Sequence, residues 1–380
     1  MKILLVTRNL PPLVGGMERL NWHMADELTK YAEVTIVGPE EASDHKPENT
    51  ILVGAPLRPL WRFLLSAGWR AIKTARQWKP DVIIAGSGLT APLVLIAARL
   101  CDAKAVCYVH GLDIAVKHPI YKAIWLPAIK RMERIIANST PTAALVSDLN
   151  VKSGRLSVVY PGVNLPNRMP MTEEINLFRK KYDLDQKRIL LSVGRLAERK
   201  GLKEFIQFSL PEIVRNQPDA ILLVIGSPPT NSLHAKAHTP EAVMTEAKQL
   251  GVEKNVKFIG TVDEATLQQA YYASDVHVFP VKEISGDPEG FGMVAIEAAA
   301  HGLPTVAFAS GGIVDAVKDQ HSGFLVTPND YKELTKKILY FLRGEFSFNH
   351  SCCEFSHDFS WENFGRHIIN NVQEKEDNRP

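Results

Sequence analysis

The sequence predicts an α/β fold of two parallel-sheet domains facing each other across a cleft. Three observations carry that prediction. Short β-branched runs alternate with longer helical patterns from end to end, a chain of 380 residues exceeds one ordinary core, and the turn-dense segment 160–167 falls near the middle. Open sheets of this kind collect ligands at the carboxyl ends of their strands, so the site is expected in the cleft.

The first strands are expected at 3–7, 34–37, 82–85, 105–108, 134–137 and 156–160. The N-terminal run has too short an apolar core for a signal peptide, because Arg8 follows it directly, and reads as a buried strand. The longest uncharged run, 82–98, carries Gly86, Ser87, Gly88, Thr90 and Pro92 in its middle. A membrane span needs about 20 mostly apolar residues, so this run reads as strand, glycine turn and helix, and no transmembrane segment is predicted.

The linker is 160–167, and the polar segment 172–187 reads as a short surface helix leading into the second domain. The second strands are expected at 189–193, 221–225, 256–259, 276–279, 305–308 and 323–326. A last helical pattern from Ser360 to Val372 follows a loop rich in sulfur and phenylalanine, and the tail 373–380 is polar enough to fray. The expected division is 1–165, 166–358, and a C-terminal helix within 359–380 packing back on the first domain.

Hydrophobic content of 45% and charged content of 23% fit a globular protein. A net charge of +2 gives no mandate for nucleic acid, which usually needs a concentrated basic surface, so any basic partner site is expected to be local. Cys101, Cys107, Cys352 and Cys353 show no zinc-like spacing and no disulfide framework, and read as reduced thiols of a cytosolic protein. Asp183-Leu184-Asp185 has DxD spacing but sits in the polar segment before a strand, where a solvated turn is the better reading. No cluster has metal-ligand spacing, and no essential metal is expected.

Four places carry candidate chemistry. After the first strand, Gly15 and Gly16 precede a helix, where paired glycines let backbone amides approach a phosphate or sugar; a plain turn is the competing reading. At the end of 105–108 stand His110 and Asp113, the histidine able to donate to a hydroxyl or a polarised oxygen, or simply structural. Arg195 and Lys200 follow the strand 189–193 beside a helix start, placed to grip a diphosphate or to form a solvated charged turn.

The fourth place is the strongest. Glu289 lies in a loop and can accept from sugar hydroxyls, while the amides of Gly290, Phe291, Gly292 and Met293 are expected to open a helix pointed at phosphate. Glu297, two turns on, is placed for ribose hydroxyls or for burial against backbone. Gly311-Gly312 supplies another close-approach loop.

These pieces jointly resemble the retaining glycosyltransferases of GT-B fold often called family 4, which include bacterial phosphatidylinositol mannosyltransferases and many lipopolysaccharide and exopolysaccharide enzymes. The resemblance rests on the GGxE loop Gly15-Gly16-Met17-Glu18, His110 with Asp113, Gly194-Arg195-Leu196 with Lys200-Gly201, the Glu289/Glu297 pair, Gly311-Gly312 and the Trp361 helix. It implies two Rossmann-like domains, the first binding the acceptor and the second a nucleotide-sugar. Arg195 and Lys200 would neutralise the departing diphosphate, Glu289 and the following amides would hold the sugar, Glu297 the ribose, and backbone around Ile259 the base. His110 would touch the donor sugar, with Gly16 close to the phosphate.

The implied activity is transfer of a hexose, mannose from GDP-mannose first, to a lipid-linked or glycan acceptor in cell-envelope synthesis. A UDP-sugar donor, an epimerase or phosphorylase on the same fold, and a non-catalytic sugar-nucleotide-binding subunit are the alternatives. Two departures from the family pattern stand out: Ser227-Pro228-Pro229 where another glycine is common, and Asp315 where a glutamate is usual. The loop 281–287 is comparatively long.

The segment 58–76 is basic, aromatic and free of acids. At helical spacing Arg62, Trp69, Lys73 and Arg76 share one face, and Leu60, Leu64, Ala67, Ala71 and Ala75 another. The basic face suits an anionic membrane surface, or the apolar face packs on the domain with solvated cations outside. The expected location is the cytoplasm, with peripheral attachment to the inner membrane's cytoplasmic face as the membrane reading of this segment.

Overall fold

Two sets of apolar, β-branched strands each form a parallel sheet, and the computed structural model, which describes residues 1–228 and 239–373, divides into two corresponding units. The first unit holds Met1–Gly162, Ser285–Phe291 and the chain from Phe359. Its strands are β1 Lys2–Val6, β2 Glu33–Pro39, β3 Thr50–Ala55, β4 Val82–Ala85, β5 Lys104–Val109, β6 Arg134–Ala137 and β7 Leu156–Val158, in the order β3-β2-β1-β4-β5-β6-β7. Its helices in chain order are α1 Gly16–Thr29, α2 Leu60–Trp78, α3 Ala91–Arg99, α4 Gly111–Ala115, α5 Pro119–Lys130 and α6 Thr140–Ser147.

The strand β3 is absent from the sequence reading. It is an edge strand that pairs only with β2, with residues 51–54 exposed or half-buried, and its apolar run Ile51-Leu52-Val53 ends in Gly54, a residue unusual inside a strand. Helices α2, α3 and α5 pack in succession, and α2 buries Phe63, Ala67, Gly68, Ala71 and Ala75.

The second unit, Val163–Ile284 and Gly292–Asp358, carries β8 Arg188–Val193, β9 Ala220–Ile225, β10 Val256–Gly260, β11 Val276–Phe279, β12 Thr305–Phe308 and β13 Gly323–Val326. Their order is β10-β9-β8-β11-β12-β13, again parallel. The helices are α7 Thr172–Lys181, α8 Leu202–Phe208, α9 Leu210–Asn216, α10 Pro240–Gln249, α11 Glu264–Ala273, α12 Met293–Ala300, α13 Ile313–Ala316, α14 Tyr331–Leu342 and α15 Asn349–Ser356.

The final helix, α16 Trp361–Gln373, belongs to the first unit. It buries Trp361, Phe364, Gly365, Ile368, Ile369 and Val372, a stripe of helical period that packs on α1. A Cβ on Gly365 would stand 2.6 Å from Glu27 Cβ, so glycine lets the two helices approach. The tail beyond Gln373 and Pro229 of the 227–229 segment lie outside the described residues.

In both sheets the strand order reverses direction once, beside the unit's first strand: between β1 and β4, and between β8 and β11. Loops leaving such a pair diverge to opposite faces and open a crevice at the carboxyl ends. Each unit thus carries one crevice of its own.

Candidate functional site

In the second unit the crevice at β8 and β11 is a pocket lined by Ser192, Gly194, Arg195, Lys200, Leu202 and Phe279. Arg195 leaves β8 directly, and Lys200 ends a 3-10 turn, Glu198–Lys200, that precedes α8. Gly201 closes that turn at φ 68°, and a Cβ there would collide with the Pro280 carbonyl, so the turn that aims Lys200 requires glycine. Both cations expected at a diphosphate therefore line one pocket.

Phe279, which the sequence reading passes over, joins this pocket to α12. Lys200 Nζ sits 4.5 Å from its ring centroid, and a Cβ on Gly292 would come within 2.9 Å of its Cε1. Gly292 is left-handed at φ 91° and caps α12, whose first residue is Met293. Its signal in the sequence is positional: the last residue of an expected strand faces the carboxyl-end crevice.

The helix opens later than expected. Gly290 and Phe291 are outside it, because the left-handed Gly292 breaks the backbone between loop and helix, so only Met293 and its successors offer helix-start amides. Glu297 lies on α12 with 8% exposure, and Tyr271 of α11 donates its hydroxyl to Glu297 Oε2 at 3.0 Å. His301 Nδ1 meets the Glu297 carbonyl oxygen at 2.7 Å, and its ring stacks on Tyr271. Tyr271 carries no signal in the sequence, because nothing in a helical pattern marks a tyrosine as a carboxylate's partner.

Ile259 lies in β10 at an irregularity in its pairing with β9: Phe258 pairs with Val224 and Gly260 with Ile225, so Ile259 is skipped. Asp183 of the DxD spacing is left-handed, exposed and paired with Lys257 at 2.8 Å. Among the described residues no group of three or more His, Cys, Asp or Glu side chains could hold a metal ion. Ser227 accepts from the Leu196 backbone at 3.0 Å, and Asp315 sits in the first turn of α13 after a left-handed Gly311.

The other candidates belong to the first unit. His110 follows β5 with 7% exposure, its Nδ1 3.5 Å from Asn138 Nδ2, and its ring is also hydrogen-bonded to the Gly86 backbone. The amide can only donate, so Nδ1 accepts and Nε2 carries the proton. Burial lowers the His110 pKa, with Asp113 opposing, so the ring is a neutral donor.

Asp113 is held back from solvent chemistry. Its carboxylate accepts from the backbone N–H groups of Gly88 and His110, the latter at 2.9 Å, and burial raises its pKa. It braces the His110 turn.

The loop Ser285–Phe291, with half-buried Glu289, packs on this same turn. A Cβ on Gly111 would approach Pro288 Cγ at 3.1 Å, one on Gly290 would meet Asn138 Nδ2 at 2.8 Å, and Lys117 Nζ donates to Ser285 Oγ at 2.7 Å. Phe291 is buried against Tyr160 and Phe359. The first unit thus gathers His110, Asn138 and the Glu289 loop, whereas Glu297 is in the second. Asn138 directly follows β6 and has the same strand-end signal as His110.

Gly15 caps α1 and Gly16 opens it, with Glu18 of the helix's first turn accepting from Asn9 Nδ2 at 2.7 Å. On α2, Trp61, Arg62, Leu65, Trp69, Lys73 and Arg76 are exposed on the side away from the packed face, Trp69 at 61%, with Lys73 Nζ 5.1 Å from its ring centroid. No helix among the described residues is long and apolar enough to cross a membrane.

Comparison with known proteins gives a consistent result. Residues 14–166 match the family model described as Glycosyltransferase Family 4, and residues 174–359 the one described as Glycosyl transferases group 1. A GDP-mannose-dependent α-(1-6)-phosphatidylinositol monomannoside mannosyltransferase of Mycolicibacterium smegmatis is 27% identical over 88% of each chain. A D-inositol 3-phosphate glycosyltransferase of Segniliparus rotundus is 32% identical over 63% of this chain and 50% of its own. Among solved structures, HepE of Anabaena in complex with UDP superposes with a TM-score of 0.78 at 20% identity, covering 98% of this chain and 99% of that one.

Proposed function

Because the chain belongs to the group 1 glycosyltransferases, with a Family 4 N-terminal half and the GT-B fold, we propose that it is a retaining hexosyltransferase taking mannose from GDP-mannose to a lipid-linked or glycan acceptor of the cell envelope. One observation carries the donor reading: Arg195 and Lys200 line a pocket at the strand-order reversal of the second unit, joined through Phe279 to the start of α12. Two cations and a helix N-terminus suit a diphosphate. Glu297, fixed by Tyr271, takes the ribose hydroxyls, and the backbone at the skipped Ile259 takes the base.

In the first unit, we assign Glu289 and the neutral His110 to sugar hydroxyls and Gly15 and Gly16 to phosphate approach. Mannose and GDP are favoured because similar full-length relatives are named as GDP-mannose-dependent. No metal is required in this reading, since the two cations supply the charge that a divalent ion would. The acceptor oxygen bonds to the anomeric carbon on the face the diphosphate leaves, and the departing diphosphate oxygen takes the acceptor proton. Catalysis then rests on leaving-group stabilisation and positioning.

The test is turnover of GDP-mannose, UDP-glucose, UDP-galactose and UDP-N-acetylglucosamine with lipid and glycan acceptors, with the product's anomeric configuration read by NMR. The expected result is nucleoside diphosphate release with α-linked product and no need of inorganic phosphate. An inverted product, or phosphate-dependent turnover, removes the reading.

Peripheral membrane attachment through α2 is part of the proposal. Residues 60–78, 91–99 and 119–130 of the packed helices α2, α3 and α5 contain no Asp or Glu, and Trp61, Leu65 and Trp69 are exposed among cations. In liposome flotation the protein is expected to float with anionic vesicles at low salt, and an Arg62/Lys73/Arg76 charge-reversed variant to stay behind. Absence of flotation, or equal flotation by the variant, sinks the idea.

A further inference from the structure

Lys282, just beyond the end of β11, is bound to the turn that aims Lys200. Its backbone N–H donates to the Arg199 carbonyl at 2.8 Å, and its stem lies beside Gly201, where a Cβ would stand 3.4 Å from Lys282 Cγ. Its ammonium is bonded to Glu204 Oε1 and lies 3.9 Å from Glu198 Oε1. Glu198 opens the 3-10 turn that Lys200 ends, and Glu204 sits in the first turn of α8, so the two carboxylates bracket Lys200 along the chain.

The setting makes this more than a surface ion pair. The Lys282 and Glu204 side chains are only 22% and 23% exposed, and Glu204 Oε2 is buried without a hydrogen-bond partner. Lys282 thus compensates a sheltered carboxylate, and removing one partner of such a pair leaves a charge that must find another. Lys203, beside Glu204 on α8, is paired with Glu246 of α10 at 3.2 Å. Carboxylates deprived of Lys282 would turn to the cations left on the turn, Lys200 among them.

Charge decides what that does to the pocket. Arg195 and Lys200 both line it, and two uncompensated carboxylates beside the turn would offset both cations. A diphosphate would then meet a weaker positive field and a lysine drawn away from it. Lys282 does not line the pocket, so its effect on a ligand there has to pass through the turn.

We propose that Lys282 is a positioning residue: by holding Glu198 and Glu204 it keeps Lys200 aimed into the pocket and keeps the pocket positive for a diphosphate. This rests on the donor reading above.

The test is calorimetric titration of wild type and variants with GDP and UDP as the diphosphate probes. Lys282→Met is expected to bind the better of the two about ten-fold more weakly, the scale of one charge-assisted contact, and Lys282→Arg to keep the wild-type affinity. Adding Glu198→Gln and Glu204→Gln to Lys282→Met is expected to restore most of the loss, because no carboxylate remains to draw Lys200 away. In a Lys200→Met background, Lys282→Met should cost only a fraction of its effect in wild type, the non-additivity of residues that act together. A purely structural clasp would show neither the rescue nor the coupling.

Melting temperatures accompany each titration. Glu198→Gln/Glu204→Gln with Lys282 intact leaves no carboxylate to compensate, and is expected to bind at or above the wild-type affinity. Wild-type affinity in folded Lys282→Met, no recovery in the triple variant, or weaker binding by the Glu198/Glu204 double variant overturns the positioning role and leaves the donor reading standing. Failure of wild type to bind either probe, or undiminished binding by Lys200→Met, removes the donor reading and this role with it.

Discussion

Arg195→Ala and Lys200→Ala are each expected to lower sugar transfer by at least about ten-fold, toward a hundred-fold, the range for one charge-assisted contact on a developing charge in a sheltered site. Both side chains line the same pocket, and the diphosphate gains charge as the glycosidic bond breaks, so their grip strengthens in the transition state. The fall should therefore appear in kcat as well as in kcat/KM. Lys200→Ala also removes the cation over the Phe279 ring, worth about 0.5–2 kcal/mol. Melting temperatures must accompany the rates. Near-normal turnover by purified, folded Arg195→Ala would remove the diphosphate assignment.

The second large effect is on stability in mild acid. His277 is buried with its Nδ1 3.0 Å from Thr305 Oγ1, and burial, with Lys200 nearby, lowers its pKa from 6.5 to about 3. Burial lowers His301 to about 4 against the opposing Glu264, and burial with Arg19 lowers His23, stacked on Trp361, to about 4. The sign follows from proton counts. Below pH 6.5 the unfolded chain takes up protons that the folded state refuses, so stability is full above that pH and falls toward the folded values. The loss is about 1.4 kcal/mol per pH unit for each histidine, or roughly 4–6 kcal/mol for all three between pH 7 and 5. Chemical denaturation at the two pH values checks it, and His277→Gln is expected to flatten the slope. A pH-independent stability over that range would contradict the burial of neutral histidines.

Most of the sheet framework was legible because buried parallel strands are short, apolar and β-branched, as in Val82–Ala85 and Val276–Phe279. The edge strand Thr50–Ala55 was not: its Ile51-Leu52-Val53 run is short, is followed by Gly54, and owes its strand state to pairing with β2 on one side only. At the site, the positions of Arg195 and His110 could be read because they directly follow strand ends. What pairs them could not. Phe279 matters through two contacts, Tyr271 through one hydrogen bond to Glu297, and the loop Ser285–Phe291 through packing on Gly111 and Asn138, residues far away in the chain. The helix start misread at Gly290 depends on the sign of φ at Gly292, which a glycine's identity permits but does not dictate.

The most direct test is a thermal-shift titration of wild type and Arg195→Ala with GDP-mannose, UDP-glucose, UDP-galactose and UDP-N-acetylglucosamine. A donor at about 100 times its Kd adds about 2.7 kcal/mol to the unit that binds it. A saturable rise in wild-type melting temperature with at least one donor, GDP-mannose first, that is lost or greatly weakened in Arg195→Ala, is the predicted result. No rise with any of the four at millimolar concentration, or an equal rise in the variant, would contradict the assignment of this pocket to a nucleotide-sugar.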